Sequence, residues 1–196
     1  MITRLKLSTI EQGLPKYRSM LAGNDAYIPT SYESIASASG TGSSDTITFS
    51  SIPSTYQSLQ IRGIVQWTVG NNDTLQLRFN SDTATNYASH HLMGDGTTVI
   101  ATGLATQSRI RMSADGYSWD TSYPISVIVD IHDYASTSKT KTVRIFMGCD
   151  LNGTPSRVLL ASGLWNSTAA ISSITIGTQS ASSFQTTTRL ALYGIK

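Results

Sequence analysis

Charge is scarce in this chain, and cysteine nearly absent. Asp, Glu, Lys and Arg make up 13% of the 196 residues, about half the usual share of a soluble domain. The 14 basic and 12 acidic residues leave a net charge of +2. Only Arg4, Lys6, Lys16 and Arg18 gather locally, with Glu11 among them. A nucleic-acid surface needs a basic stripe or cluster, so nucleic acid is not an expected partner. The single cysteine, Cys149, rules out an internal disulfide and has no companion cysteine for a metal site. It is expected as a small buried apolar residue. No apolar run reaches membrane-spanning length, and none follows the basic start as a signal peptide would require. The expectation is a chain made in a cytoplasm, with no membrane partner.

Chemical signatures are lacking as well. The sequence contains no G-x-S-x-G, no P-loop, no EF-hand spacing and no dinucleotide fingerprint. Its few acids fall mostly in turn-like contexts, among them Asp45, Asp73, Asp82, Asp95 and Asp115. Glycoside hydrolysis needs two placed carboxylates, which this distribution does not suggest. The expectation is a protein that is not an enzyme, with no catalytic residue, no metal and no cofactor.

What fills the space is serine and threonine, more than a quarter of the residues together. From about Ser31 onward the apolar residues recur with a period of two. Leu59, Ile61, Val65 and Trp67 share one face, and so do Leu75, Leu77 and Phe79. Ile125, Val127, Val129 and Ile131 repeat the pattern, as do Val143, Ile145, Met147 and Cys149. Such alternation marks half-buried antiparallel strands. Shorter candidates are Ser34–Ser39, Thr46–Ser50, Tyr87–Leu92, Thr97–Ala101, Ser108–Met112, Val158–Leu164, Ile171–Ile176 and Phe184–Ile195. Between them lie turn compositions such as "GTGSSD", "NSDTATN", "GDG" and "LNGTP". Eight to twelve strands at this spacing predict an all-β antiparallel sandwich, jelly-roll-like, over residues 31–196.

Residues 1–30 read differently. Leu5, Leu7, Ile10, Leu14, Tyr17, Met20 and Leu21 are too many apolar groups for a plain linker, and too broken in pattern for one amphipathic helix. One reading is a disordered terminus. The other is an extended N-terminal attachment arm that orders itself against a neighbouring protein. In that second reading Leu14, Lys16, Tyr17, Arg18, Met20, Leu21 and Tyr27 are the partner-binding residues.

Two further groups bear on function. "VDIHDY" places Asp130 and His132 on one strand face, an edge a metal could use, though a polar solvent-facing strand explains it as well. His90 and His91 point to opposite faces of any strand and cannot share one ion without a bulge. "ADGYSWDTSYP" packs Tyr117, Trp119 and Tyr123 together. These rings offer stacking platforms for a glycan, or they plug the end of the sandwich.

"SYESIASAS", "ITFSSIPSTYQSLQIRG", "LQLRFNSDTATNYASHHL" and the closing "RLALYGIK" resemble small virion structural proteins of tailed bacteriophages, particularly those of cyanobacteria and other aquatic bacteria. The resemblance runs from about Ser31 to Lys196, and "IEQGLPKYRSMLAGNDAY" is similar to N-terminal segments of other proteins of such phages. It implies a virion location and a capsid decoration or cement protein held by its arm to the major capsid protein or another virion protein. It also implies a homotrimer, by analogy with virion jelly rolls. The alternative it leaves open is a receptor-binding module of a tail or head fibre.

Overall fold

The computed structural model describes residues 31–68, 73–114, 117, 119, 123–150 and 156–196. The chain falls into two units, Met1–Ser31 and Tyr32–Lys196. The arm residues Leu14, Lys16, Tyr17, Arg18, Met20, Leu21 and Tyr27 lie outside the described residues.

The second unit is all β. Its strands are β1 (Tyr32–Ser39), β2 (Thr46–Phe49), β3 (Ser58–Val65), β4 (Leu75–Phe79), β5 (Tyr87–Gly94) and β6 (Val99–Gln107), followed by β7 (Ile110–Arg111), β8 (Ile125–His132), β9 (Lys141–Cys149), β10 (Arg157–Trp165), β11 (Ile174–Thr178) and β12 (Arg189–Ile195). They form two antiparallel sheets. One has eight strands in the order β1-β12-β3-β8-β9-β10-β5-β6, and the other four in the order β2-β11-β4-β7. Period-two alternation explains why each strand sits where it does. In β8, Ile125, Val127, Val129 and Ile131 are buried while Ser126 and His132 are exposed. In β9, Lys141, Val143, Ile145 and Met147 are buried while Thr142, Arg144 and Phe146 are exposed.

The buried faces of both sheets contribute to one apolar cluster, the arrangement of a β-sandwich. An aromatic trio joins the sheets. Phe79 of β4 lies 5.5 Å from Trp165 of β10, and Trp165 stacks on Tyr87 of β5 at 6.2 Å. The Tyr87 hydroxyl is matched on both sides. The Phe79 N–H donates to the Tyr87 hydroxyl at 3.2 Å, and that hydroxyl donates toward the Asp82 carbonyl at 3.2 Å. Burial pushes the Tyr87 phenol up to about 12.

Asp82 caps the same region from its turn. Its carboxylate accepts from the Asn86 amide (2.9 Å), the Ala84 N–H (2.8 Å) and the Trp165 indole N–H (2.8 Å). These donors, Asn86 foremost, hold its pKa below the ordinary 3.8. A carboxyl whose folded value is depressed stabilises the fold above its unfolded value, and that contribution is lost as pH falls through the folded value. The melting temperature is therefore expected to fall as pH drops below about 4, and to fall less steeply in Asp82→Asn. A pH series of thermal melts on both proteins measures the difference.

Among the described glycines, Gly63 has the least room, where β3 meets β12. A Cβ placed on Gly63 would sit 1.9 Å from the Arg189 carbonyl oxygen. Gly63→Ala is expected to destabilise the domain by about 2 kcal/mol or more, because it must push the two strands apart. A chemical-denaturation curve reads this directly.

Twelve strands fall at the twelve stretches where alternation predicts them, with shifted ends. β6 runs six residues beyond Ala101. β11 begins at Ile174 rather than Ile171, and β12 at Arg189 rather than Phe184. Ile171 is buried outside any strand, its N–H bonded to the Tyr134 carbonyl at 2.8 Å, and Phe184 forms an isolated bridge with Trp67. Both side chains join the apolar core without belonging to a named strand. Cys149 is half-buried, at the end of β9.

Candidate functional site

The outward face of the eight-stranded sheet holds the most distinctive surface. In-register pairing lays its side chains out in rows across the strands. One row is polar: Gln60, Asp130, Arg144, Ser162 and His90, on β3, β8, β9, β10 and β5. The next is apolar: Ile128, Phe146, Leu160 and Leu92, ending on Ala101 of β6. Phe146, Leu160 and Leu92 are each about half exposed, at 50%, 48% and 49%. Val158 and Val99 extend the apolar surface in the following row, separated by Gly94.

Two open hollows flank this ridge. One, of about 570 Å³, is lined by His90, Leu92, Arg144, Leu160 and Ser162. The other, of about 560 Å³, opens over the small residues Gly94, Gly148 and Ser126 beside Phe146 and Val158. Residues without bulk leave depressions between neighbours that have it. In the first hollow Ser162 lies directly opposite His90. A serine beside a histidine invites comparison with a hydrolytic triad. The acid does not follow: Asp130 lies three strands from His90, about 14 Å at ordinary strand spacing, and its carboxylate accepts from Gln60 at 2.5 Å. A working triad needs contacts of about 3 Å.

The residues singled out from sequence separate. Trp119 is buried, 1% exposed, and its indole N–H donates to the Met112 carbonyl at 3.2 Å. It plugs the sandwich and offers no ring face for stacking on a sugar, so the glycan role considered for Trp119 does not fit its place. Trp119→Ala is expected to cost about 3–5 kcal/mol of stability, visible as a lower melting temperature. Tyr117 is half-buried, with the Arg157 guanidinium 5.6 Å from its ring centre. Tyr123 is 45% exposed and is the one ring of the three that faces solvent. His90 is exposed and His91 buried, as opposite faces require, and His91 Nε2 bonds to the Arg111 carbonyl at 2.8 Å. Among the described residues no group of three His, Cys, Asp or Glu side chains is placed to hold a metal.

No family model, curated protein or solved structure matches the chain.

One constellation escapes a linear reading. The β4–β7 pairing brings Arg111 beside Gln76, next to Arg78 on the same strand. Arg109 joins them. Burial first, then the charges of Arg78 and Arg111, push its guanidinium below its ordinary value. Arg78 also donates from Nε to the Ser108 carbonyl at 3.1 Å. Arg78 lies some thirty positions in sequence from Arg109 and Arg111, so no local pattern joins the three. Folded, they make a patch of guanidinium groups of the kind that suits carboxylate or phosphate partners.

Proposed function

We propose that the chain is a structural protein of a bacteriophage virion, a capsid decoration or cement protein that docks on the major capsid protein through residues 1–30. The observation that carries this reading is the strand order. A jelly roll of eight strands pairs first with last, second with seventh, third with sixth and fourth with fifth, in sheets ordered 1-8-3-6 and 2-7-4-5. Taking β1, β2, β3, β4, β7, β8, β11 and β12 as the eight gives β1-β12-β3-β8 and β2-β11-β4-β7, the order found. The remaining four strands come as the sequential pairs β5–β6 and β9–β10 and widen the first sheet. Jelly rolls recur in viral capsid and lectin domains, which is fold-level support for the resemblance to virion proteins.

The surface agrees with that use. Its exposed strand faces are Ser- and Thr-rich, as in the Thr48–Thr175 hydroxyl pair at 3.0 Å across β2 and β11. Such a module resists salt and pH better than one held by surface charge. In this reading residues 1–30 supply the apolar groups for docking, and Lys16 and Arg18 pair with acidic groups on the shell.

The fibre reading keeps one observation in its favour, the exposed ring of Tyr123. Copy number separates the two. Quantitative mass spectrometry of virions of a phage that encodes this chain should find hundreds of copies per particle. A few or tens would support a fibre module, and absence from the particle would overturn both. A glycan array on residues 31–196 then tests the fibre reading alone, through binding that Tyr123→Ala removes.

A further inference from the structure

The outward face of the four-stranded sheet differs from that of the larger one. Read across β2, β11, β4 and β7, its positions form two rows. One holds Thr48, Thr175 and Arg78, the other Thr46, Gly177, Gln76 and Arg111. None of these is a large apolar residue and none is an acid. Carrying the β4–β7 register one step further sets Arg109 opposite Arg78. Arg78 already reaches that segment, since its Nε donates to the Ser108 carbonyl. Arg78 and Arg109 are thus neighbours across the strands, about 5 Å apart at the backbone. Arg111 follows Arg109 about 7 Å along its own strand. Nothing among the described residues offsets the cost of this grouping. The charges of Arg78 and Arg111 both act on Arg109, which is itself half-buried. No carboxylate of the described residues stands within ion-pair distance of Arg78 or Arg109. The Arg109 Nε is buried with no hydrogen-bond partner among them. A buried donor without an acceptor destabilises a fold, and uncompensated costs of this kind concentrate at functional sites.

We propose that Arg78, Arg109 and Arg111 form a binding site for a phosphate group at the rim of the smaller sheet. Three positive charges match a dianion better than a single carboxylate. Guanidinium forks take oxyanion oxygens in pairs, and all three residues are arginine rather than lysine. Ser108 occupies the Arg78 Nε and leaves the Nη groups for the ligand. Thr175, opposite Arg78, adds a hydroxyl to the site. It is paired with the Thr48 hydroxyl at 3.0 Å, and when Thr48 donates to it, its own hydrogen is free to reach a phosphate oxygen. Charges confined to two strands make a point site, not the stripe along which a nucleic-acid backbone lies. The site does not depend on the virion reading.

The test titrates inorganic phosphate into the full chain by isothermal calorimetry at fixed ionic strength. Acetate serves as the competing anion, and Arg109→Gln and Arg62→Gln as the variants. Arg62 is exposed on β3, in the other sheet. The wild type should bind one phosphate saturably, and acetate about tenfold more weakly or worse. Arg109→Gln should weaken phosphate by about tenfold or more, and Arg62→Gln should leave it unchanged. In phosphate-free buffer Arg109→Gln should melt no lower than the wild type, because it removes a repulsion. Added phosphate should raise the melting temperature of the wild type and not of Arg109→Gln. Titrations of glucose 6-phosphate and of vesicles containing phosphatidic acid then assign the source: a soluble ester, a lipid headgroup, or the free ion where inorganic phosphate alone binds. Absence of saturable phosphate binding overturns the proposal. So does acetate binding as tight as phosphate, and so does phosphate binding that survives Arg109→Gln or falls equally in Arg62→Gln. A lower melting temperature for Arg109→Gln in phosphate-free buffer makes Arg109 a brace of the fold and overturns it as well.

Discussion

Replacing Lys141 by methionine is expected to lower the melting temperature by roughly 10 °C, while replacing Lys139, two positions earlier, leaves it nearly unchanged. The reason lies in what each ammonium touches. Lys139 is exposed and pairs with Asp133 at 3.0 Å, with both side chains about half in water or more. Exposed pairs of this kind contribute about 0–1 kcal/mol. Lys141 is fully buried at the start of β9. Its Nζ donates to three carbonyls: Lys139 at 2.6 Å, Ser136 at 2.7 Å and Thr168 at 3.2 Å. Burial pushes its pKa down, and the carbonyls supply the acceptors that let the ammonium stay charged in the interior. The side chain thereby ties the turn before β9 to the segment after β10. Methionine fills similar space but leaves the carbonyls without their donor, at a cost on the order of 3 kcal/mol. For a domain of this size 1 kcal/mol corresponds to about 2–4 °C. Thermal melts of the wild type, Lys139→Met and Lys141→Met check the contrast. Equal and small shifts for both variants would remove Lys141 from its place as an internal brace.

Deleting residues 1–30 is expected to abolish binding to particles while residues 31–196 keep their fold. The twelve strands and two sheets of the described residues lie within Tyr32–Lys196. So does the described core, from Ile47 to Leu192. The melting temperature of the truncated chain should fall within about 3 °C of the full chain, about 1 kcal/mol at the conversion above. Binding is another matter. Leu14, Tyr17, Met20, Leu21 and Tyr27 together could bury enough apolar surface for about 5–10 kcal/mol before ordering costs. Losing even half of the lower figure weakens binding by about 50-fold or more. Calorimetry on the two chains, and their titration onto particles lacking this protein, separate the two effects. A truncated chain that fails to fold, or binds as well as the full one, contradicts the assignment of roles.

Local strand character was legible because period two survives in single stretches such as Leu75–Phe79 and Ile125–Ile131. β6 was only half legible. Beyond Ala101 its residues other than Leu104 are small or polar and none is buried, so no apolar alternation stands out there to read. Pairing partners were illegible for a different reason. The meeting of β1 with β12, or of Arg78 with Arg111, depends on contacts between distant positions that no local pattern encodes. Trp119 illustrates the limit for site residues. A Trp among Tyr, Asp and Ser in a turn-rich stretch has the same local composition whether it faces a sugar or, as here, seals the core. Lys141 carried no sequence signal of burial. It occupies an inward position of the alternation that Val143, Ile145 and Met147 continue, and a lysine at such a position reads as the strand's polar end.

The most direct test of the account grafts residues 1–30 onto an unrelated folded carrier and spins it with purified particles that lack this protein. The carrier bearing the segment is predicted to sediment with the particles, saturably and in competition with the full chain, while the bare carrier and residues 31–196 stay in the supernatant. If residues 31–196 sediment and the grafted carrier does not, attachment resides in the β domain and the account of this chain as a shell protein held by its first thirty residues is wrong.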